Sequence, residues 1–391
     1  MTRYVLVGNG VAGFSAAQNI RKVDPQGEIS IVSNEDLPPY YRIRLNDYIA
    51  GEVSEQGLQL KNPSWYQENN IYLVLDTEVE TGDPEKKILA TTKGKEIGYD
   101  KLLLATGSHS FIPPVEGADK KGVFALRNIQ DARKISKWAQ SVDNVVVIGG
   151  GLLGLETANA LRKLGKRVVV VEFFPRLLPR QLDEEGAEKL RSNMEKMGFE
   201  FRLGLKTSTL QGGDSVNTAL LDNGEELPAE MAVFSAGVRP NIQLAGSMDL
   251  QQNKGIVVDD YLQTSDPHVY AAGDVAEWNG NLYGIWWPAK EQGQIAGANM
   301  AGESDIYQGT TMSTKLKVVG IDLASAGEID TEGKYESKVY SEGDVYKKVI
   351  IDNNRIIGCI MLGDLQDFDR ITAMMSEGTD LSGVKQSLFS G

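Results

Sequence analysis

Two glycine-rich turns of one design lie in this chain, Gly8-Asn9-Gly10-Val11-Ala12-Gly13 and Gly149-Gly150-Gly151-Leu152-Leu153-Gly154. Each follows a short apolar strand and opens a stretch of helical spacing, an order that few folds admit. In such a βαβ unit the first glycine permits the tight turn and the second lets the backbone approach a pyrophosphate. The third lets helix and strand pack closely. The amides at the helix N-terminus then face the phosphates. One copy is weak evidence; two copies predict two dinucleotide sites in one α/β chain.

The flanking residues complete both units. The first has a strand at Tyr4–Val7, a helical face of Val11, Phe14, Ala17 and Ile20, and a strand at Ile29–Ser33. Glu35 follows, about 20 residues after the glycines, where an acid accepts from a ribose hydroxyl. The second has a strand at Val145–Ile148 and a helical face of Leu152, Leu155, Ala158, Leu161 and Leu164, stopped by Gly165. Its next strand, Val168–Val171, ends at Glu172. A carboxylate there bonds a free 2′-hydroxyl and repels a 2′-phosphate, favouring NAD over NADP. Arg176 and Arg180 pull the other way if they hold a 2′-phosphate; otherwise they contact pyrophosphate or solvent. We read the site as one for NADH, with NADPH the alternative.

A chain of 391 residues has room for two or three domains. Pro113-Pro114 with Gly117, and Gly237-Val238-Arg239-Pro240, mark boundaries. The expected map is a discontinuous nucleotide domain (1–113 and 240–311), an inserted one (114–239) and a C-terminal α+β domain (312–391). The last is read from strands at Lys315–Ile321, Lys334–Tyr340, Val345–Ile351 and Ile356–Leu362 and a helix at Asp367–Ser376. A net charge of −14 argues against nucleic acid and anionic membrane surfaces as partners. No apolar run reaches the ~18 residues of a membrane span. The first strand starts almost at Met1, without a signal peptide, so a cytoplasmic location is expected. One cysteine, Cys359, allows no intramolecular disulfide, and no metal site is expected.

Three further segments are Ala105-Thr106-Gly107, Ala236-Gly237-Val238-Arg239-Pro240-Asn241 and Tyr270-Ala271-Ala272-Gly273-Asp274-Val275. With the two fingerprints they make the chain similar, over nearly its whole length, to the FAD-dependent pyridine nucleotide-disulfide oxidoreductase superfamily. The resemblance implies two Rossmann-like domains, one for FAD and one for NAD, plus the small C-terminal domain. It implies that FAD is held by Gly8, Gly10, Val11, Ala12, Gly13, Glu35, Arg42, Ala105, Thr106, Gly107, Arg127, Gly273, Asp274 and Trp287. Asp274 would bind the ribityl or pyrophosphate part and Arg127 the pyrophosphate. The nicotinamide nucleotide would be held by Gly149, Gly151, Leu152, Leu153, Gly154, Glu172, Arg180 and Gly237. The segment Trp286–Gly293 would lie against the isoalloxazine ring. There Trp287 covers the ring or borders the acceptor site, or else packs between domains.

Members of the superfamily differ in what takes electrons from the flavin. This chain has no cysteine pair near the first flavin helix and none near position 42, which reads Tyr40-Tyr41-Arg42-Ile43-Arg44-Leu45-Asn46. Cys359 reads as a small buried hydrophobe, so thiol and disulfide substrates are not expected. Tyr41–Leu45 and Leu316–Gly320 resemble the NADH:rubredoxin oxidoreductase group, and the flavin-binding part of assimilatory nitrite reductase shares several segments. Many ferredoxin reductase relatives carry a lysine where this chain has Asp47, paired with a glutamate at the position of Glu156. We expect Arg44 to take the cationic role in the flavin N5 environment, with Asp47 turned away; the alternative is an ordinary surface or phosphate-binding arginine.

The resulting expectation is hydride transfer from NADH to FAD, then single electrons to rubredoxin or a ferredoxin. The alternatives are an NADH oxidase using O2, a flavin-binding component of a nitrite reductase system, and a nicotinamide-sensing flavoprotein with little turnover. Such carriers are usually acidic, so docking needs a local basic patch, for which Lys290, Lys315 and Lys317 are candidates.

Overall fold

The computed structural model describes residues 1–310, 313–382 and 388–389, with the backbone alone for 313–318. Contacts divide the chain into two compact units. The first comprises Met1–Phe111, Leu126–Ser136 and Gly237–Thr310; the second comprises Ile112–Ala125, Lys137–Ala236 and Thr311–Gly391.

The first unit is built on a parallel sheet in the order Val269–Ala271, Lys101–Leu104, Arg3–Val7, Glu28–Val32 and Ile71–Val74. Helices cover parallel strands on both faces, so these strands carry continuous apolar runs. Leu102, Leu103 and Leu104 are accordingly all fully buried. The helix Val11–Val23 packs along the helix Trp286–Met300. Small residues permit this: a Cβ on Gly293 would overlap the Ala12 backbone, and one on Gly297 the Ala16 backbone. The unit also holds a three-stranded antiparallel sheet, Val79–Asp83, Ile88–Thr91 and Glu96–Gly98, and two two-stranded sheets.

The second unit repeats the parallel design in the order Glu200–Leu203, Arg167–Glu172, Asn144–Ile148, Met231–Phe234 and Val123–Ala125. The helix Leu152–Lys163 follows its central strand, and Gly165, at φ +79°, lies just past its end. The unit also holds an antiparallel C-terminal sheet in the order Ser313–Val318, Ile321–Gly327, Arg355–Leu362, Val345–Asp352 and Glu336–Glu342. Where one strand was expected over Lys315–Ile321, the chain makes a hairpin. Val319 and Gly320 form its two-residue turn at φ +54° and +89°. Both central residues have positive φ, as a type I′ hairpin turn requires. Valine is a poor turn signal, which is why the strand Ile321–Gly327 is missing from the sequence reading.

The C-terminal helix is Phe368–Glu377. Its Phe368 and Ile371 pack into one core with Val349, Ile351, Cys359 and Met361. Burial pushes the Cys359 thiol up to about 12, which keeps it protonated and inert. Adjacent lysines on the strand Val345–Asp352 point to opposite faces, and both are buried. Lys347 Nζ bonds Asp364 Oδ2 at 2.6 Å and Asp367 Oδ2 at 2.9 Å. Lys348 Nζ reaches Asp183 Oδ2 at 2.9 Å, where the Tyr346 hydroxyl also donates, at 2.7 Å. Asp183 caps the helix Glu184–Lys196 by accepting from Gly186 N at 3.0 Å. Among the described residues no helix is long and apolar enough to cross a membrane.

Candidate dinucleotide sites

The two fingerprints fold alike. Gly8 N donates to Val32 O at 2.8 Å, and Gly149 N to Val171 O at 2.8 Å. Both glycines have positive φ, +121° and +124°. A Cβ on Gly8 would overlap the Ala105 carbonyl, and one on Gly149 the Ser235 carbonyl. Gly13 and Gly154 each lie directly against the carbonyl of the first glycine of their own turn. In contrast, a Cβ on Gly10 or Gly151 would meet nothing within 4 Å. These two glycines are the N-caps of the helices Val11–Val23 and Leu152–Lys163, and neither helix has a side-chain cap or an acid in its first turn. Each turn therefore presents uncapped amides and the positive end of a helix dipole to open space, as an anionic pyrophosphate requires.

Around the first turn the polar side chains form one connected chain. Glu35 is buried, accepting from Arg42 Nη2 at 2.6 Å and from the Tyr40 hydroxyl at 2.7 Å. Burial pushes the Tyr40 phenol up, and the Glu35 carboxylate adds to that shift. Arg42 Nη1 donates to Arg127 O at 3.0 Å. Arg127 in turn pairs with Asp274 Oδ2, which also accepts from Ser108 Oγ at 2.8 Å. Gly273 N donates to Gln292 Oε1 at 2.9 Å, fixing the Gly273-Asp274 motif to the helix Trp286–Met300. Glu35, Arg42, Arg127 and Asp274, which lie far apart in sequence, are thus brought into one network beside Ala105-Thr106-Gly107. Both Glu35 carboxylate oxygens are held by protein groups, so in this conformation it anchors the turn at Tyr40–Arg42. Sequence reasoning did not supply its partner Tyr40, nor the Ile129 amide that meets the Tyr40 hydroxyl at 3.1 Å.

The helix Trp286–Met300 also begins without a side-chain cap. Tyr41 stacks on Trp286 at 6.2 Å between centroids, and Trp287 stands 66% exposed at the surface. Lys290 Nζ lies over Trp287 at 4.9 Å, so this cation is placed on an aromatic surface. The side chains of Lys315 and Lys317 lie outside the described residues. Arg44 does not stand free of Asp47, as the sequence reading had it. Its Nε donates to Asp47 Oδ2 at 2.9 Å, one helical turn away. Glu156 lies in the second unit, on the helix Leu152–Lys163.

At the second turn Glu172 ends its strand and is buried. Its carboxylate accepts from Gly150 N at 2.5 Å and from Phe174 N at 2.9 Å. It is held beside the fingerprint. Leu178 N donates to Gly150 O at 3.2 Å, so the loop after Glu172 closes back on the glycines. Leu153 is exposed at the first helical turn, and Arg180 is exposed on that loop. Gly237 belongs to the first unit instead, at φ +94°, where its carbonyl accepts from Phe111 N at 2.8 Å. Among the described residues no group of His, Cys, Asp and Glu is placed to hold a metal ion.

The sequence model of the family described as pyridine nucleotide-disulphide oxidoreductase matches residues 2–303. That of the rubredoxin NAD+ reductase C-terminal domain matches residues 313–379. The nitrite reductase [NAD(P)H] of Bacillus subtilis is 39% identical over 97% of this chain and 48% of its own length. The chain thus spans about half the length of that relative. The NADH-rubredoxin oxidoreductase of Clostridium acetobutylicum is 33% identical over 93% of this chain and 92% of its own. The crystal structure of NADH:rubredoxin oxidoreductase from that organism superposes with a TM-score of 0.86 at 28% identity, covering 98% of this chain and 97% of that one.

Proposed function

The chain belongs to the pyridine nucleotide-disulphide oxidoreductase family, and from that premise we propose an NADH-dependent flavoprotein reductase that delivers single electrons to a small redox protein such as rubredoxin or a ferredoxin. The observation that carries the reading is the duplicated turn, with uncapped amides facing open space at both Gly10 and Gly151. We assign the first turn, with Asp274 and Arg127, to FAD and the second, with Glu172, to NADH. Bound FAD supplies the conversion of a two-electron hydride into one-electron transfers. The protein's part is binding and orientation. The amides after Gly10 and Gly151 hold the two pyrophosphates. Asp274, held by Arg127 and Ser108, is set to accept from a hydroxyl of the FAD sugar alcohol. The N-terminus of the helix Trp286–Met300 favours negative charge placed against it. Hydride transfer needs orientation and no side-chain acid or base, consistent with a fingerprint region built of glycine and apolar residues. Glu172 beside the ribose position favours NADH over NADPH. Exposed Trp287 borders the approach of the acceptor.

Steady-state NADH oxidation with rubredoxin, a ferredoxin and O2 as separate acceptors tests this reading. Turnover with a protein carrier well above that with O2, and faster at low salt, is expected. Turnover with O2 alone would overturn it. A second reading, electron supply to nitrite reduction, is favoured by the nitrite reductase relative that shares this region. NADH-dependent reduction of nitrite through a nitrite-reducing partner, in preference to reduction of rubredoxin, would select it.

A further inference from the structure

The C-terminal sheet ends in a strand that neither nucleotide site uses. Glu336–Glu342 is its outermost strand, paired on one side with Val345–Asp352. Among the described residues no strand pairs with its other side. All seven of its residues are exposed, Val339 at 47% and Tyr340 at 36%. Such an edge carries a row of unpaired N–H and C=O groups, a template for another strand. The hairpin turn fixes which groups these are. Gly343 and Asp344 form a two-residue turn, with Gly343 at φ +52°, so Glu342 and Val345 face each other as the first pair. The pair that closes a two-residue turn exchanges both ladder bonds, and the pattern then alternates. Glu342, Tyr340 and Lys338 therefore bond inward, while Ser341, Val339 and Ser337 point their N–H and C=O outward. Side chains alternate as well, so Lys338, Tyr340 and Glu342 share one face. There the Tyr340 hydroxyl donates to Glu342 Oε2 at 2.5 Å.

We infer that this edge pairs with the same edge of a second copy of the chain, antiparallel and centred on Tyr340. Outward groups must meet outward groups, which leaves few registers. Centring on Val339 opposes Glu336 to Glu342, and centring on Lys338 opposes that lysine to itself; like charges directly opposite are destabilising. Centring on Ser341 leaves the shortest overlap. Centring on Tyr340 sets Lys338 of each copy opposite Glu342 of the other, Val339 opposite Ser341, and the two Tyr340 rings together. Lys338 and Glu342 then occupy non-hydrogen-bonded pairs, where facing side chains come closest. Charges on an edge strand ordinarily keep other strands away; in this order they make the edge complementary to itself. The contact is isologous, the same patch on both copies. It is independent of the redox reading and of both nucleotide sites.

The test is sedimentation velocity of the full chain over a concentration series. A monomer–dimer equilibrium with a dissociation constant of about 10–100 µM is expected, weaker than a standard-sized interface gives, and added salt weakens it further. Lys338→Glu places like charges opposite each other twice and weakens the dimer about tenfold or more. The swap that combines Lys338→Glu with Glu342→Lys restores it. Val339→Pro removes an outward N–H and no inward one, so it keeps the fold, read as unchanged far-ultraviolet circular dichroism, and loses the dimer. A monomer at every concentration overturns the inference, as does a dimer that Lys338→Glu and Val339→Pro leave intact. So does a folded swap variant that fails to restore what Lys338→Glu removes.

Discussion

Replacing Gly293 with alanine tests how the first nucleotide turn is held in place. An alanine Cβ there would lie 2.8 Å from Ala12 Cα and 2.9 Å from Ala12 C, and nearer still to the Ala12 carbonyl oxygen. Ordinary carbon contacts lie near ~3.5–4.0 Å, so the two helices must part by roughly 1 Å. The obstacle is backbone on both sides, and no side chain can swing away. Overpacking of this kind costs about 1–3 kcal/mol. Alanine recovers up to ~1 kcal/mol through its higher helix propensity, so a net loss of about 0–2 kcal/mol is expected. Ala12 lies in the first turn of the helix whose uncapped amides we assign to the FAD pyrophosphate, so the displacement moves those amides too. We expect the FAD dissociation constant to rise about tenfold, equivalent to ~1.4 kcal/mol. Urea unfolding of the apoprotein gives the first quantity, and quenching of flavin fluorescence on titration gives the second. An alanine variant that is more stable than the parent and binds FAD equally well would show that propensity wins and that the helix crossing does not set the site.

Other expectations concern the second unit and pH. Lys348→Met leaves the buried Asp183 carboxylate with only Tyr346 and its helix cap, and should lower unfolding stability by about 3 kcal/mol, read by urea denaturation. Glu172→Gln should raise KM for NADH and narrow the preference over NADPH, measured as the ratio of kcat/KM values. Hydrogen bonds hold several carboxylates below their usual range: among them, Arg133 holds Glu55, the Asn144 and Asp143 amides hold Glu230, and Lys347 holds Asp364. A depressed carboxylate stabilises the fold above its unfolded value and loses that contribution as pH falls through the folded one. Thermal midpoints should therefore be level from pH 7 to about pH 5 and fall below about pH 4. A midpoint that rises on acidification would contradict the assignment.

The two fingerprints were legible because the turn's sterics leave glycine no substitute at Gly8 or Gly149, and because the strand and helix periods flank them. The acids at Glu35 and Glu172 were legible by spacing alone. Their partners were not, since Tyr40, Arg42 and Ile129 converge on Glu35 only through folding. The close crossing at Gly293 and Gly297 had a local signal in its small-residue spacing, but Ala12 and Ala16, which it meets, are far away in sequence. The hairpin at Val319-Gly320 was hidden by a β-branched residue in a left-handed turn. Lys347 and Lys348 read as surface charge, and only the pairing of strands shows that both are buried on opposite faces.

The central claim is that one chain passes a hydride from a nicotinamide site to a flavin site. Its most direct test is an anaerobic titration of the FAD-loaded protein with NADH, followed by absorbance. Bleaching of the flavin band at one equivalent of NADH, followed by its return when oxidised rubredoxin or ferredoxin is added, is the predicted result. A flavin band left unchanged by excess NADH and NADPH would contradict the account.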